Sequence, residues 1–326
     1  MTIMHTLKST LVVIMSVVAW LGVGPMRSAA DTWPQGSVRF IVPLGPGSAA
    51  DIGARLVADR LAARWGKPVV VENRPGGDAV IGIAAFVSAN DDHTLLFAPS
   101  GTFTIQPFVH EKLPYDATRD ILPIARLSNT IVAIASPASL NIASLGELVA
   151  LARADPGKLN WTGTSIAEFV FAGFVRTSAL AMSRVPYRDA QQALADLAEG
   201  RIHAAVHAMA LVQPLIQAGR VKALAITNRA RAPIWPEVAT VGEAGFPELT
   251  VDGLVGLFGP RGMASERRER IAAEIAAIAD DPAVAARLAA TGQVVNFGAP
   301  SAFAAAIEEQ RGKAAAVAAL GLKPGR

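Results

Sequence analysis

"IVPLGPGSAAD", residues 41–51, decides how the rest of the chain is read. Ile41 and Val42 end an apolar run, Pro43, Gly45, Pro46 and Gly47 break it, and Ser48 opens a helical pattern. Ser48 is a strong N-cap, and Asp51 three residues later approximates a capping box. Gly45 and Gly47 allow close backbone approach or positive φ. A helix start leaves backbone N–H groups without partners and carries the positive end of the dipole, so the turn suits an anion. A Walker loop would need G-x-x-x-x-G-K-[ST], and no lysine is present. A G-x-G-x-x-G fingerprint fails because Ala50 stands where its last glycine belongs and Gly53 comes too late. Taken alone, the stretch fits an ordinary capped turn as well as a ligand loop.

Outward from it, short β-branched runs alternate with alanine-rich helical patterns. Strands are expected at 38–44, 68–73, 93–99, 130–137, 158–163, 202–209 and 221–227. Helices are expected at 49–65, 144–154, 189–199, 265–279, 282–291 and 300–319, with Ser265, Asp281 and Ser301 as start signals. In the first helix Ile52, Leu56, Leu61 and Trp65 are expected to form the packed side. The alternation predicts an α/β fold with mainly parallel sheets. No linker or repeat marks a boundary.

The first thirty of the 326 residues read as a secretory signal peptide. Lys8 precedes the apolar run Leu11–Val23, and Ser28 and Ala30 suit cleavage before Asp31. Export to the periplasm is the expectation. Without residues 1–30, 28 basic and 27 acidic side chains remain, which gives no electrostatic case for nucleic acid. The absence of cysteine removes lipobox attachment, disulfides and thiolate metal sites.

Two further turns follow expected strands. In "ENRPGGDAVIG" (72–82) Gly76 and Gly77 offer unobstructed N–H groups, and "APSGTFT" (98–104) adds hydroxyls on Ser100, Thr102 and Thr104. Ligands of open α/β sheets gather at that strand edge. A polar, uncharged cradle suits a carboxylate. Enzyme signatures are weak. His203 and His207 lack a third metal ligand, and no G-x-S-x-G elbow or local triad exists. No cofactor and no metal are expected. "ERRER" (266–270) reads as a solvated helix start, and "YDATRD" (115–120) as a surface loop whose charges cap and solvate.

The ordered set "VRFIVPLGPGSAADIGARL", "GKPVVVENRPGGDAVIG", "LPYDATRDILPIARL", "RVPYRDAQQALADLAEGRI", "VKALAIT…WPEVATVGEAG" and "GLFGPRGMASE" resembles the extracytoplasmic solute receptors of tripartite tricarboxylate transporters, the TctC or Bug family. The resemblance covers Asp31 to the end. It implies a two-lobed periplasmic binding protein of type II-like fold, closing on a small organic carboxylate and delivering it to integral-membrane permease subunits. It implies crossing strands near 126–132 and 223–229. Lobe one would then comprise 31–126 and 229–326, and lobe two 127–228. Loops 45–51, 76–82 and 100–104 would hold the carboxylate, partly through ordered water. The expected ligand residues are Gly47, Ser48, Ala49, Asp51, Gly76, Gly77, Asp78, Ser100, Thr102, Thr164, Ser165 and His207. A monomer is expected, with population shift as the mechanism.

Three stretches depart from the family's pattern. "GGDAVIG" replaces the usual "GAGGNIG". Asp78 there would repel a carboxylate, recognise an ammonium group, or point away. The loop after "LNW" is about three residues shorter, leaving Thr164 and Ser165 as donors. His207 stands where the family usually carries Asp. It would either donate to the ligand's distal end, favouring acidic or aromatic carboxylates over amino acids, or bond to backbone. An orphan receptor that signals to a sensor kinase or binds a non-carboxylate is the alternative reading. A secreted enzyme using His207 is a third.

Overall fold

The computed structural model describes residues 33–187 and 189–323. The expected signal peptide lies outside them. The chain divides into two units, 1–36 and 37–326, and the architecture below is that of the second.

Strand β1 (Val38–Val42) leads through the glycine turn into helix α1 (Ala49–Trp65). Ser48 caps the helix, its Oγ accepting from the Asp51 N–H at 3.2 Å, and Gly66 ends it in the left-handed conformation. The buried face is Ala50, Ala54, Val57, Ala58 and Leu61; Ile52, Leu56 and Trp65 are only half-buried. The expected packed side is therefore rotated. Small residues bring the helix against the sheet, so close that a Cβ on Gly53 would sit 3.4 Å from the Phe97 ring.

The first sheet also holds β2 (Val69–Asn73), β3 (Thr94–Pro99), β4 (Ile121–Thr130), β10 (Gly253–Pro260) and β11 (Gln293–Gly298), in the order β11-β4-β10-β3-β1-β2. The second holds β5 (Val132–Pro137), β6 (Asn160–Gly163), β7 (Ser183–Arg184), β8 (Ala204–Ala208) and β9 (Val221–Ile226), in the order β7-β6-β8-β5-β9. Both sheets are mixed rather than mainly parallel in their pairing. β1 pairs in parallel with β2 and β3, and β6 with β7 and β8; β10, β11 and β5 pair antiparallel to their neighbours. The reason is the crossing. β4 runs through Ile131 straight into β5, so β5 enters the second sheet against the direction of β8 and β9. The return from β9 likewise brings β10 into the first sheet reversed.

Asn228 clamps the two crossings together. Its Oδ1 accepts from Val132 N–H at 3.1 Å and its Nδ2 donates to Thr130 O at 3.0 Å. Val251 N–H donates to Thr227 O at 2.8 Å just before β10 begins. Val241, Leu249 and Val251, between β9 and β10, pack in the core of the second sheet with Trp161, Phe171 and Phe174.

Helix α2 (Val80–Ala89) and the short helices α3 (Gly101–Thr104) and α4 (Gln106–Val109) follow β2 and β3. Helices α5 (Leu145–Ala154), α6 (Ser165–Thr177), α7 (Ala190–Ala198) and α8 (Met209–Gln217) cover the second sheet. Helices α9 (Ser265–Ala279), α10 (Pro282–Ala289) and α11 (Pro300–Ala318) complete the chain. Asp281 caps α10 as expected. The N-caps of α9 and α11 are Ala264 and Ala299, one and two residues before the expected serines, and Pro300 holds the first helical position. Helix α11 belongs to both halves: Phe303 and Ile307 enter the first core, Ala314 and Val317 the second.

Candidate functional site

The strand directions select one edge. β4 leaves the first sheet at its carboxyl end, and β1, β2 and β3 point the same way, so their terminal loops lie at the crossing. β5 enters the second sheet from that crossing, and β6 and β8 run opposite to it. Their carboxyl ends therefore return to the same edge. Five of the loops read from the sequence meet there: those after β1, β2, β3, β6 and β8.

In the first loop, Gly47 has φ +79° and is exposed, while Ser48 and Ala49 are half-buried. Asp51 is 3% exposed and its carboxylate is fully engaged. It accepts from Gly47 N–H at 2.9 Å, from Asn73 Nδ2 at 2.9 Å and from Arg55 Nε at 3.2 Å. The capping box thus closes on Gly47 rather than on Ser48. Burial pushes the Asp51 carboxyl up, but Arg55, the Gly47 N–H and the Asn73 amide outweigh it and hold the group below its usual range. Asp51 builds the loop. Gln293, fully buried, donates its Nε2 to Ala49 O at 2.9 Å and fixes the helix start from β11.

The second loop is a run of left-handed residues: Gly76 (φ +121°), Gly77 (+56°), Asp78 (+52°) and Ala79 (+76°). Asp78 and Ala79 hold conformations that favour glycine. None of the N–H groups of residues 76–79 donates to a partner among the described residues. Successive N–H groups in such a turn form a concavity for an anion. Gln106 Nε2 donates to Asp78 O at 2.6 Å and holds the turn from the third loop's helices. The Asp78 side chain is exposed at the rim. Gly82 sets how close the first two loops come, since a Cβ there would lie 2.5 Å from Arg74 O and 2.7 Å from Pro43 Cα.

The third loop spends two of its three hydroxyls internally, and Thr104 Oγ1 is buried without a partner among the described residues. Ser100 is fully buried and donates its Oγ to Gln310 Oε1 at 2.6 Å; Thr102 Oγ1 donates to Pro99 O at 2.6 Å. What this loop presents across the edge is Gly101. A Cβ on it would be 2.7 Å from Ser165 Oγ of the opposite sheet.

On the far side, Thr164 and Ser165 start α6, both exposed, with Ser165 at φ +62°. Thr164 N–H donates to Val206 O at 3.2 Å, which places residues 164–165 beside the end of β8. His207 there is 2% exposed, opposite Ala133 of β5, and neither ring nitrogen has a hydrogen-bond partner. Burial alone pushes the imidazole down to about 4. His203 is separate: its Nδ1 lies 2.8 Å from Asn160 Oδ1.

Glu168, one turn into α6, is bonded to Arg184; burial pushes its carboxyl up despite that partner. This pair, Gln106, Gln293 and Gln310 escaped the sequence reading. Their partners are distant in the chain, up to 244 residues for Gln293 and Ala49, so no local spacing announces them.

A family model described as TctC, tripartite tricarboxylate transporter family receptor, matches residues 53–321. BugT of Bordetella pertussis is 32% identical over 240 residues, covering 72% of this chain and 73% of that one. A UPF0065 protein of Bordetella bronchiseptica is 30% identical over 284 residues, covering 86% and 84%. Among solved structures, an R. palustris protein with adipate is similar at 26% identity and TM-score 0.75, covering 88% of this chain and 97% of that one. MatC from Rhodopseudomonas palustris with bound malate is similar at 26% and 0.72, covering 87% and 100%. The family is one of transporter receptors, and the two solved neighbours hold adipate and malate. The match over residues 53–321 and the converging strand-end loops agree, and the chain belongs to the TctC family of tripartite tricarboxylate transporter receptors.

Proposed function

We propose that this protein is a periplasmic receptor that captures a small organic carboxylate between its two lobes and delivers it to the permease of a tripartite tricarboxylate-type transporter. The observation that carries the reading is the left-handed turn at 76–79, whose N–H groups are unpartnered at the edge where the lobes meet. Those N–H groups, with the Ala49 N–H at the α1 start, take the carboxylate; the N–H groups of Gly47 and Ser48 are engaged within the loop. Thr164, Ser165 and His207 close on the remainder from lobe two. Asp51, Ser100 and Thr102 hold the loops rather than the ligand, because their polar atoms are already engaged.

Lobe one in this reading is 37–130 with 253–310, and lobe two is 132–251 with the end of α11 laid upon it. Residues 229–251 join lobe two because Val241, Leu249 and Val251 share its core. Closure is a population shift whose size is the ligand's differential affinity for the closed form.

The test is mass spectrometry of the molecule retained after gentle purification, with a thermal-shift screen of mono-, di- and tricarboxylates. Adipate and malate, held by the structural neighbours, are natural first probes. Ligand at 100 times its dissociation constant raises stability by about 2.7 kcal/mol. A screen in which no carboxylate raises the melting temperature would sink the carboxylate reading.

A further inference from the structure

Among the described residues of the site, His207 is the one whose ring nitrogens are both buried and unpartnered, at 2% exposure; Thr104 Oγ1 on the lobe-one side shares that state. Buried polar atoms are nearly always bonded, and each exception asks for an explanation. The residue is the last but one of β8, and the lobes touch at two points on the helices that adjoin it. On one side Ser165 abuts Gly101; on the other Ala210 abuts Gly292, where a Cβ would come within 2.8 Å. Nothing opposite it on β5 is larger than Ala133. Val206, the residue before it, accepts from Thr164 N–H at 3.2 Å, so His207 stands on the strand end beside the lobe-two loop of Thr164 and Ser165.

We propose that the His207 ring recognises an uncharged hydrogen-bonding group at the ligand's far end, so that the receptor takes singly charged acids bearing a hydroxyl or amide group in preference to dicarboxylates. This rests on the carboxylate-receptor reading above. A neutral imidazole offers one donor and one acceptor, and a hydroxyl or amide answers both. A carboxylate answers only the donor and brings a second charge into an apolar setting. The ring stays neutral at working pH because burial alone sets its protonation, with no charged side chain contributing. Charged groups on neighbouring segments are engaged elsewhere, apart from Arg176 in the last turn of α6. Arg184 is bonded to Glu168, Asp189 caps the N–H of Gln191, and Arg229 is paired with Glu309. Arg188 lies outside the described residues and enters the test instead.

Titration calorimetry on the full-length mature protein, with matched pairs, decides it: succinate against succinamate, and adipate against its monoamide. Wild type binds the monoamide at least tenfold more tightly, and His207→Ala, with its melting temperature checked, brings each pair within threefold. On the unmutated protein, 15N spectra of the imidazole shift when the monoamide binds, which keeps the test intact if the variant fails to fold. Equal affinities within each pair, or ring signals that do not move, overturn this proposal alone. A dicarboxylate preference that disappears in Arg188→Gln overturns it too. Failure of every acid to bind removes the carboxylate reading and this inference with it.

Discussion

The two sides of the cleft edge are built by opposite means. On the lobe-one side, the loops are braced by bonded side chains: Asp51 to three donors, Ser100 to Gln310, Gln106 to Asp78, Gln293 to Ala49. What is left over there is backbone, the N–H groups of 76–79. On the lobe-two side the scaffold is thin and the leftover is a side chain, the His207 ring. A backbone cradle stiffened by side chains recognises a charge common to many acids. A lone side chain in an apolar floor discriminates among them. Under the proposed function, the division would put shared recognition on one lobe and selectivity on the other.

The largest expected effect breaks the stiff side. Gly82→Val would drive a side chain into Arg74 O and Pro43, both backbone, which cannot rotate away. A loss of about 3 kcal/mol or more in urea unfolding is expected, with ligand binding abolished. Stability unchanged in this variant would mean that the first two loops are not held by close contact.

Next in size is the pH response of the selective side. His207 titrates at about 4 in the folded chain against an ordinary 6.5. Between those values the unfolded chain binds the extra proton, so acidification favours unfolding. The stability this group contributes is present above pH 6.5 and lost as pH falls through 4. From pH 7.5 to 4.5, wild type should lose roughly 2–3 kcal/mol more than His207→Leu in urea unfolding. Parallel pH profiles for the two proteins would show that the ring is not sealed from water.

Asp51→Ala comes third. It removes a buried acceptor from three donors and should cost about 2 kcal/mol. The same change tests the division between the sides. With the fold held by ligand or low temperature, relative affinities among different acids should stay as they were, because Asp51 shapes the cradle and does not select.

The sequence carries one side better than the other. Helix α1 is legible to the residue, since Ser48 and the run to Trp65 state its limits locally. The three lobe-one turns are equally legible from glycine and proline punctuation. β4 is not: "ILPIARLSNT" contains Pro123 and buries Ser128 and Asn129, so no alternation marks it. The pairing of β4 with β10 carries register shifts between Val255 and Gly256 and between Leu257 and Phe258, an irregularity that lets the proline sit in a central strand. The hydroxyls of Ser100 and Thr102 looked like ligand donors because sequence gives residue type and not the direction of a bond. Their acceptors, Gln310 and Pro99 O, appear only in the fold. The packing of Val241 and Leu249 with the second sheet's core is hidden for the same reason: a core shared across a crossing leaves no composition change at the crossing.

The smallest expected effect concerns the contact between the sides. Gly101 and Ser165 meet where a methyl group on Gly101 would stand 2.7 Å from Ser165 Oγ. Gly101→Ala should leave stability nearly unchanged, since the clash is relieved by the lobes moving apart rather than by unfolding. It should weaken ligand binding on the order of tenfold, by taxing the closed form. Ser165→Gly removes the opposing oxygen and also relaxes the φ of +62° at that position. Combined with Gly101→Ala, it should restore most of the affinity, giving a coupling of about 1 kcal/mol in a double-mutant cycle. Additive losses would mean that the two residues act separately and that closure is governed elsewhere, with the contact at Gly292 and Ala210 the next to test.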